Sequence, residues 1–190
     1  MKKTSPIKSL YQDKARPGLK QELGIKNPMA MPRIAKVVVN VGIGKILKDQ
    51  KRVEEVVQSL QMITGQKVLM TKARKAIAGF KIREDLEIGA SVTLHGKQMW
   101  SFLDRLFHIA LPRVRDFQGI SESAVDQSGN LNIGIKEHTI FSEIVPEKVQ
   151  HIFSFQVTVV TTAQNKAEGL ALFRLLGLPF QSAEAKSDAK

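Results

Sequence analysis

The sequence contains no cysteine. That excludes disulfide staples, thiolate metal sites and cysteine nucleophiles together, and it fits a reducing compartment. Long apolar runs are missing too. The start, MKKTSPIKSLYQDK, carries basic residues with no hydrophobic stretch behind them and does not read as a secretory signal. No later segment is long enough to span a membrane. The expectation is a cytosolic protein, or one in an equivalent organelle compartment, with no membrane partner. Acidic residues are scarce: 18 Asp and Glu stand against 29 Lys and Arg, for a formal charge of +11. The partners of such a chain should be anionic. At 190 residues and 43% hydrophobic, it can bury one sizeable core. We expect a single domain over residues 1–180, followed by a flexible polar tail, 181–190.

The acidic deficit is sharpest in GQKVLMTKARKAIAGFKIR, Gly65 to Arg83, which holds Lys67, Lys72, Arg74, Lys75, Lys81 and Arg83 without one carboxylate. Cations at this density repel one another unless a polyanion lies close, and a nucleic-acid backbone supplies one charge per nucleotide. A solvated loop is the ordinary alternative. Here Gly79 and Phe80 interrupt the cations with a flexible joint and a ring able to stack on a base, which favours RNA.

Periodicity organises the rest. Leu10, Ala15, Leu19 and Leu23 suggest an opening helix broken at Pro17-Gly18. Ala35, Val37, Val39 and Val41 alternate with Lys36, Val38 and Asn40, a sheet strand. Asp49 is placed to cap a helix carrying Val53, Val56, Val57, Leu60 and Ile63, stopped by Gly65. Further strands are expected at about 67–70, 88–95, 131–135 and 153–159. A helix carrying Met99, Leu103, Leu106, Phe107, Ala110 and Leu111, with Trp100 and Phe102 on its flank, should end near Pro112. Asn165 and Glu168 form a plausible capping box for a last helix, stopped by Gly177 and Pro179. Between Arg113 and Asn130 lies a long turn-rich connection, of the kind that is usually functional or disordered.

This order describes an α+β fold: a mixed, largely antiparallel sheet with helices packed on one face and an open polar face for RNA. The open face should present Asn40, Ser91, Thr93, His95, Asn132, Lys136, Ser154, Gln156 and Thr158. It holds hydroxyls and amides and no large aromatic ring. Readers of single-stranded RNA stack bases on aromatics there, whereas small donor-acceptor groups suit ribose hydroxyls and base edges in the shallow groove of A-form RNA. Folded RNA is the better match, although polar residues on an outer sheet face usually meet only water.

MPRIAKVVVNVGIG, ITGQKVLMTKARKAIAGFKIRE, VTLHGKQMWSFLDRLFHIALPRVRDFQGIS and GNLNIGIKEHTIFSEI, in this order and spacing, resemble the large-subunit ribosomal protein five family, bacterial type, from about Leu10 to Phe180. The resemblance implies a non-enzymatic protein of the central protuberance, located in cytoplasmic ribosomes. It would bind 5S rRNA and help attach it to the subunit beside 23S rRNA and neighbouring large-subunit proteins. It would also contact peptidyl-site tRNA and bridge to the thirteenth protein of the small subunit. Carried over by position, the 5S contacts fall on Asn40, Gln66 and Thr93, two of which alternation alone places on the open face. Amides and hydroxyls both donate and accept, and so set register where Lys and Arg supply affinity. The tRNA loop falls on Lys72, Arg74, Lys75, Phe80 and Lys81. The bridge falls on Arg113, Arg115, Glu122, Glu137 and Glu143. There the local charge reverses: from Ser121 to Glu147 five carboxylates (Glu122, Asp126, Glu137, Glu143, Glu147) face Lys136 alone, a net of −4. Such a surface suits a basic protein. Ser142, Gln118 and Leu131 depart from the family's usual proline, arginine and aromatic, all in or beside the bridge region.

Enzymatic readings find little support. In VNVGIGKI, Gly42, Gly44 and Lys45 follow a strand, but Val39 stands where a phosphate loop needs glycine, and Ile46 replaces the Ser or Thr that would hold magnesium. A turn requiring glycine is the simpler reading. His95, His108, His138 and His151 are scattered without ligand spacing, so neither a metal nor another cofactor is expected. The adjacent carboxylates Glu54 and Glu55 diverge by about 100° on a helix and cannot share one substrate bond. Besides an RNA-acting enzyme, the remaining alternative is a free RNA chaperone or regulator using the same surface.

Overall fold

Valines at 37, 39 and 41 send their side chains to one side of an extended segment, and that period of two builds the central strand. The computed structural model describes residues 6–25, 27–44, 46–47, 49–115 and 117–181. Strand β1 (Ile34–Gly42) lies between β3 (Glu87–Leu94) and β5 (Phe155–Thr161), and the edges are β2 (Leu69–Lys72) and β4 (Leu131–Ile135). The order is β2-β3-β1-β5-β4, and every pairing is antiparallel. The expected parallel component is absent from these pairings for a topological reason. β1 and β2 run the same way, but β3 inserts between them and pairs with both.

Helix α3 (Gln50–Thr64) begins where Asp49 accepts the N–H of Arg52 at 3.3 Å and ends at Gly65, whose φ of 68° only glycine adopts freely. The chain needs Gln66 and Lys67 to leave this cap. The following strand therefore starts at Leu69, two residues later than periodicity suggested. β1 differs as well. A bulge between Ile34 and Lys36 turns Ala35 outward, and Ile34 takes the buried place expected for it.

The two proline-interrupted helices share one device. Helix α1 (Pro6–Leu10) runs through a widened π-turn (Tyr11–Ala15) into α2 (Arg16–Leu23). Helix α4 (Gly96–Arg105) runs through another (Leu106–Ala110) into a 3-10 turn, Leu111–Arg113. In each, the N–H just before proline bonds five residues back, Arg16 to Tyr11 and Leu111 to Leu106. One extra residue in the turn moves a carbonyl away from the ring of Pro17 or Pro112, so the helix bends and does not break. The opening segment is thus continuous through Pro17-Gly18, contrary to expectation.

Helix α5 (Lys166–Leu175) carries the anticipated cap: Asn165 accepts the N–H of Glu168 at 2.9 Å. The carboxylate of Glu168 returns to the N–H of Gln164 at 2.9 Å, one residue before the cap. Gly169 lets α5 touch the turn at Gly129, since a Cβ there would lie 2.6 Å from the Gly129 Cα. One core cluster joins the inner sheet face (Val37, Val39, Val92, Leu94, Val157) to Leu60 and Ile63 of α3, Phe102 of α4 and Phe173 of α5. Phe102 belongs to the centre of that core and not to a helix flank, and it stacks on Phe141 with centroids 5.8 Å apart. The long connection after α4 is anchored, too. It buries Ile120 and Val125, and Ile120 exchanges backbone bonds with Pro179 and Gln181. Gln181, expected to open the polar tail, is held there; residues 182–190 lie outside those described. Among the described residues, no helix is long and apolar enough to cross a membrane.

Candidate nucleic-acid interface

The basic run forms a hairpin projecting from the β2–β3 edge. Lys72 closes β2 with a register shift beside it, and Ala73 then donates to Leu86 at 2.8 Å and accepts from Asp85 at 3.0 Å. A second rung joins Ile77 and Ile82 at 2.9 and 3.2 Å. The tip is a 3-10 turn, Ala78–Phe80. Residues 74–81 are all exposed, Phe80 to 75%. The joint at the tip is Lys81, with φ 55°, and not Gly79, which takes no positive φ. Lys67, Lys72, Arg74, Lys75, Lys81 and Arg83 have no ion-pair partner among the described residues. Backbone rungs hold the hairpin while its cations point away, an arrangement that leaves their full charge for phosphate.

The open sheet face is ordered by strand register. One row runs Leu69, Ser91, Asn40, Gln156, Gly134; the next runs Thr93, Val38, Thr158, Asn132. Asn132 Oδ1 accepts from Thr158 Oγ1 at 2.7 Å and from Gln156 Nε2 at 3.4 Å, so the β4–β5 side satisfies itself. Asn40, Ser91 and Thr93 have no side-chain hydrogen bond among the described residues, which leaves their donors and acceptors to water or a ligand. Gln66 stands apart from these rows, in the turn before β2, with its N–H 3.4 Å from Thr64 Oγ1. His95, Lys136 and Ser154 lie just beyond their strands. Alternation also missed Leu69, 68% exposed beside Ser91.

The carboxylate-rich side is less acidic in space than in sequence. Glu122 pairs with Arg174 of α5, and Glu143 pairs with Arg105 of α4. Burial pushes the Asp126 carboxyl up, but the side-chain and backbone N–H groups of Asn130 and the backbone of Ser128 hold it below the usual range. Glu137 and Glu147 are exposed and have no ion-pair partner among the described residues. Arg113, Arg115, Lys136 and Glu137 line a groove of about 800 Å³ against the edge strand β4; Glu122 and Glu143 do not. The expected bridge residues therefore divide into two groups.

Little here resembles catalytic machinery. His108 bonds Asp104 at 2.9 Å on an exposed helix face, and His138 is buried against Phe153. No cluster of three or more metal-ligating groups occurs among the described residues. Gly42, the last residue of β1, and Gly44 beyond it have neither a positive φ nor a crowded Cβ position, so the turn does not demand glycine as expected; Lys45 lies outside the described residues.

A projecting basic hairpin and an open sheet face with unpaired amide and hydroxyl groups define a scaffold that offers a surface to folded RNA. Comparison makes the class specific. Residues 27–83 match the family model described as Ribosomal protein L5, and residues 87–180 match the model of the C-terminus of the same ribosomal family. The chain is 49% identical over 175 residues to the large ribosomal subunit protein uL5 of Anaeromyxobacter sp. (strain Fw109-5), covering 92% of this chain and 97% of that one. It is 46% identical to the uL5 of Rubrobacter xylanophilus, with the same coverage, and 47% to that of Psychrobacter cryohalolentis, covering 92% and 98%. The chain belongs to the ribosomal protein L5 family. It is a structural, non-enzymatic constituent of the large ribosomal subunit, located in cytoplasmic ribosomes and partnered with ribosomal RNA.

Proposed function

We propose that the chain binds 5S rRNA through its open sheet face and helps hold that RNA in the central protuberance, beside 23S rRNA and neighbouring large-subunit proteins. The observation that carries this reading is the pair Asn40 and Thr93, whose side chains have no hydrogen-bond partner among the described residues on two adjacent rows, while the neighbouring β4–β5 polar groups bond one another. Asn40 offers both a donor and an acceptor to a ribose hydroxyl, Thr93 offers a hydroxyl, and Gln66 adds an amide at the β2 end. The hairpin cations Lys72, Arg74, Lys75 and Lys81 meet the backbone of peptidyl-site tRNA, with Phe80 available to stack. The carboxylate-rich side, with Arg113, Arg115, Glu122, Glu137 and Glu143, faces the thirteenth protein of the small subunit. Glu137 and Glu147 supply the unpaired charge there. Residues 1–180 act as one unit in these contacts.

The test is a competition titration of the full chain with 5S rRNA, total tRNA and an unrelated RNA duplex across a salt series, wild type beside Asn40→Ala. The expected result is a 5S preference that survives high salt and that Asn40→Ala loses with its salt slope unchanged. Equal competition by all three RNAs with parallel slopes would overturn the assignment of specificity to the sheet face.

A further inference from the structure

The connection from β4 to β5 forms no strand. It makes two 3-10 turns, His138–Ile140 and Pro146–Lys148, and drives Ile140, Phe141 and Ile144 into the core. Its later backbone donors, at exposed Gln150 and half-buried His151 and Phe153, have no ladder or helix to bond to. Side chains fill that role. Glu55 Oε1, on α3, accepts from Gln150 at 2.9 Å and from His151 at 3.3 Å. His138 Nδ1 accepts from Phe153 at 3.4 Å, with the imidazole stacked on the Phe153 ring at 4.0 Å and 15°. As an acceptor, Nδ1 carries no proton, so the neutral ring carries its hydrogen on Nε2, which is buried with no hydrogen-bond partner among the described residues. At the other end, Arg105 holds Glu143 with Nη1 and the Ile63 carbonyl of α3 with Nη2 at 2.9 Å.

Between these attachments the segment lifts away from the core. Val145 is 49% exposed, and Glu147 is exposed without an ion-pair partner among the described residues. We propose that Glu55 and His138 are positioning residues: Glu55 clasps the end of this connection to α3, His138 ties that end to the connection's own first turn, and together they present its Val145–Glu147 tip as a preformed docking surface for a basic protein. The inference rests on the small-subunit contact put forward above and deepens it. A tip whose backbone is held before binding avoids part of the cost of ordering that segment at the interface. An apolar Val145 beside a free carboxylate suits a partner that combines a lysine or arginine with an aliphatic stem.

Amide hydrogen exchange on the full chain tests the clasp. Glu55→Ala should speed exchange at Gln150 and His151 by about tenfold. Glu55→Gln, which keeps an acceptor oxygen, should stay near wild type. His138→Phe keeps the ring stack and should speed exchange at Phe153 alone. Large subunits reconstituted with each Glu55 variant are then titrated with small subunits; Ala should weaken association several-fold and Gln should not. Unchanged exchange in Glu55→Ala overturns the clasp. Faster exchange with unchanged association overturns its role in docking. Failure of the underlying contact reads differently: Glu137→Lys and Glu147→Lys would leave association and its salt dependence unaltered.

Discussion

Replacing Lys72, Arg74, Lys75 and Lys81 together by alanine removes the distal charge of the hairpin without touching its frame. The rungs at Ala73 with Asp85 and Leu86, and at Ile77 with Ile82, are backbone bonds, and none of the four cations has an ion-pair partner among the described residues. Position 81 keeps its left-handed backbone, as unfavourable for alanine as for lysine. The melting temperature should therefore stay within a degree or two of wild type. Binding should not. Removing one cation from its phosphate lowers the slope of log K against log salt by about 0.7–0.9, so the four substitutions together take about 3 from the slope. A slope change of that size makes the variant about a thousandfold weaker than wild type at 0.1 M salt, with the two lines converging near 1 M. Filter binding or fluorescence anisotropy with tRNA over 0.1–1 M potassium chloride reads both slope and crossing. Parallel lines, or an unchanged affinity at low salt, would refute the assignment of these cations to phosphate.

Two other outcomes concern the folded chain itself. Burial holds the His138 imidazole below its ordinary 6.5, against the opposing pull of the Glu55 charge. A depressed folded value means that the unfolded chain takes up the proton more readily, so this contribution to stability is whole above about pH 6.5 and declines as pH falls below it. Urea midpoints at pH 7.5 and 5.5 should separate more for wild type than for His138→Phe; equal separations would refute it. Gly169→Ala tests the contact of α5 with the Gly129 turn. Helix propensity alone favours alanine by about 1 kcal/mol, but a Cβ 2.6 Å from the Gly129 Cα must displace backbone, so a net loss of about 1–2 kcal/mol is expected in chemical denaturation.

Much of the fold was legible because burial writes period two and period 3.6 into the chain. The valines of β1, the stripe of α3 and the caps at Asp49 and Asn165 all stand where the sequence suggested. What escaped it was non-local. No periodicity announces that β3 slips between β1 and β2, or that a bulge at Ala35 hands its buried place to Ile34. The prolines suggest breaks because their missing N–H is a local fact, whereas the widened turns that absorb them need helical packing on both sides. Asn40 and Thr93 were legible as outward residues; that they lack partners while Asn132 has two followed only from register. The count of carboxylates after Ser121 missed Arg105 and Arg174, which arrive from other elements. Nor could Glu55 or His138 be singled out, since each acts on backbone donors about 95 and 15 residues away.

The insertion of β3 beside β1, with β5 on the other flank, also fixes when the sheet can close during synthesis. A ribosome releasing this chain from its N-terminus delivers β1 early, but the strand has one neighbour only after residue 94 and both only after residue 161. Until then its valines and the edges beside them are exposed, and pairing over such sequence separations is slow. Gln156, opposite Asn40 in the outward row, is among the last parts to emerge. A nascent chain thus completes its polar surface only when nearly finished, and a prematurely terminated one would carry the cationic hairpin without a completed open sheet face.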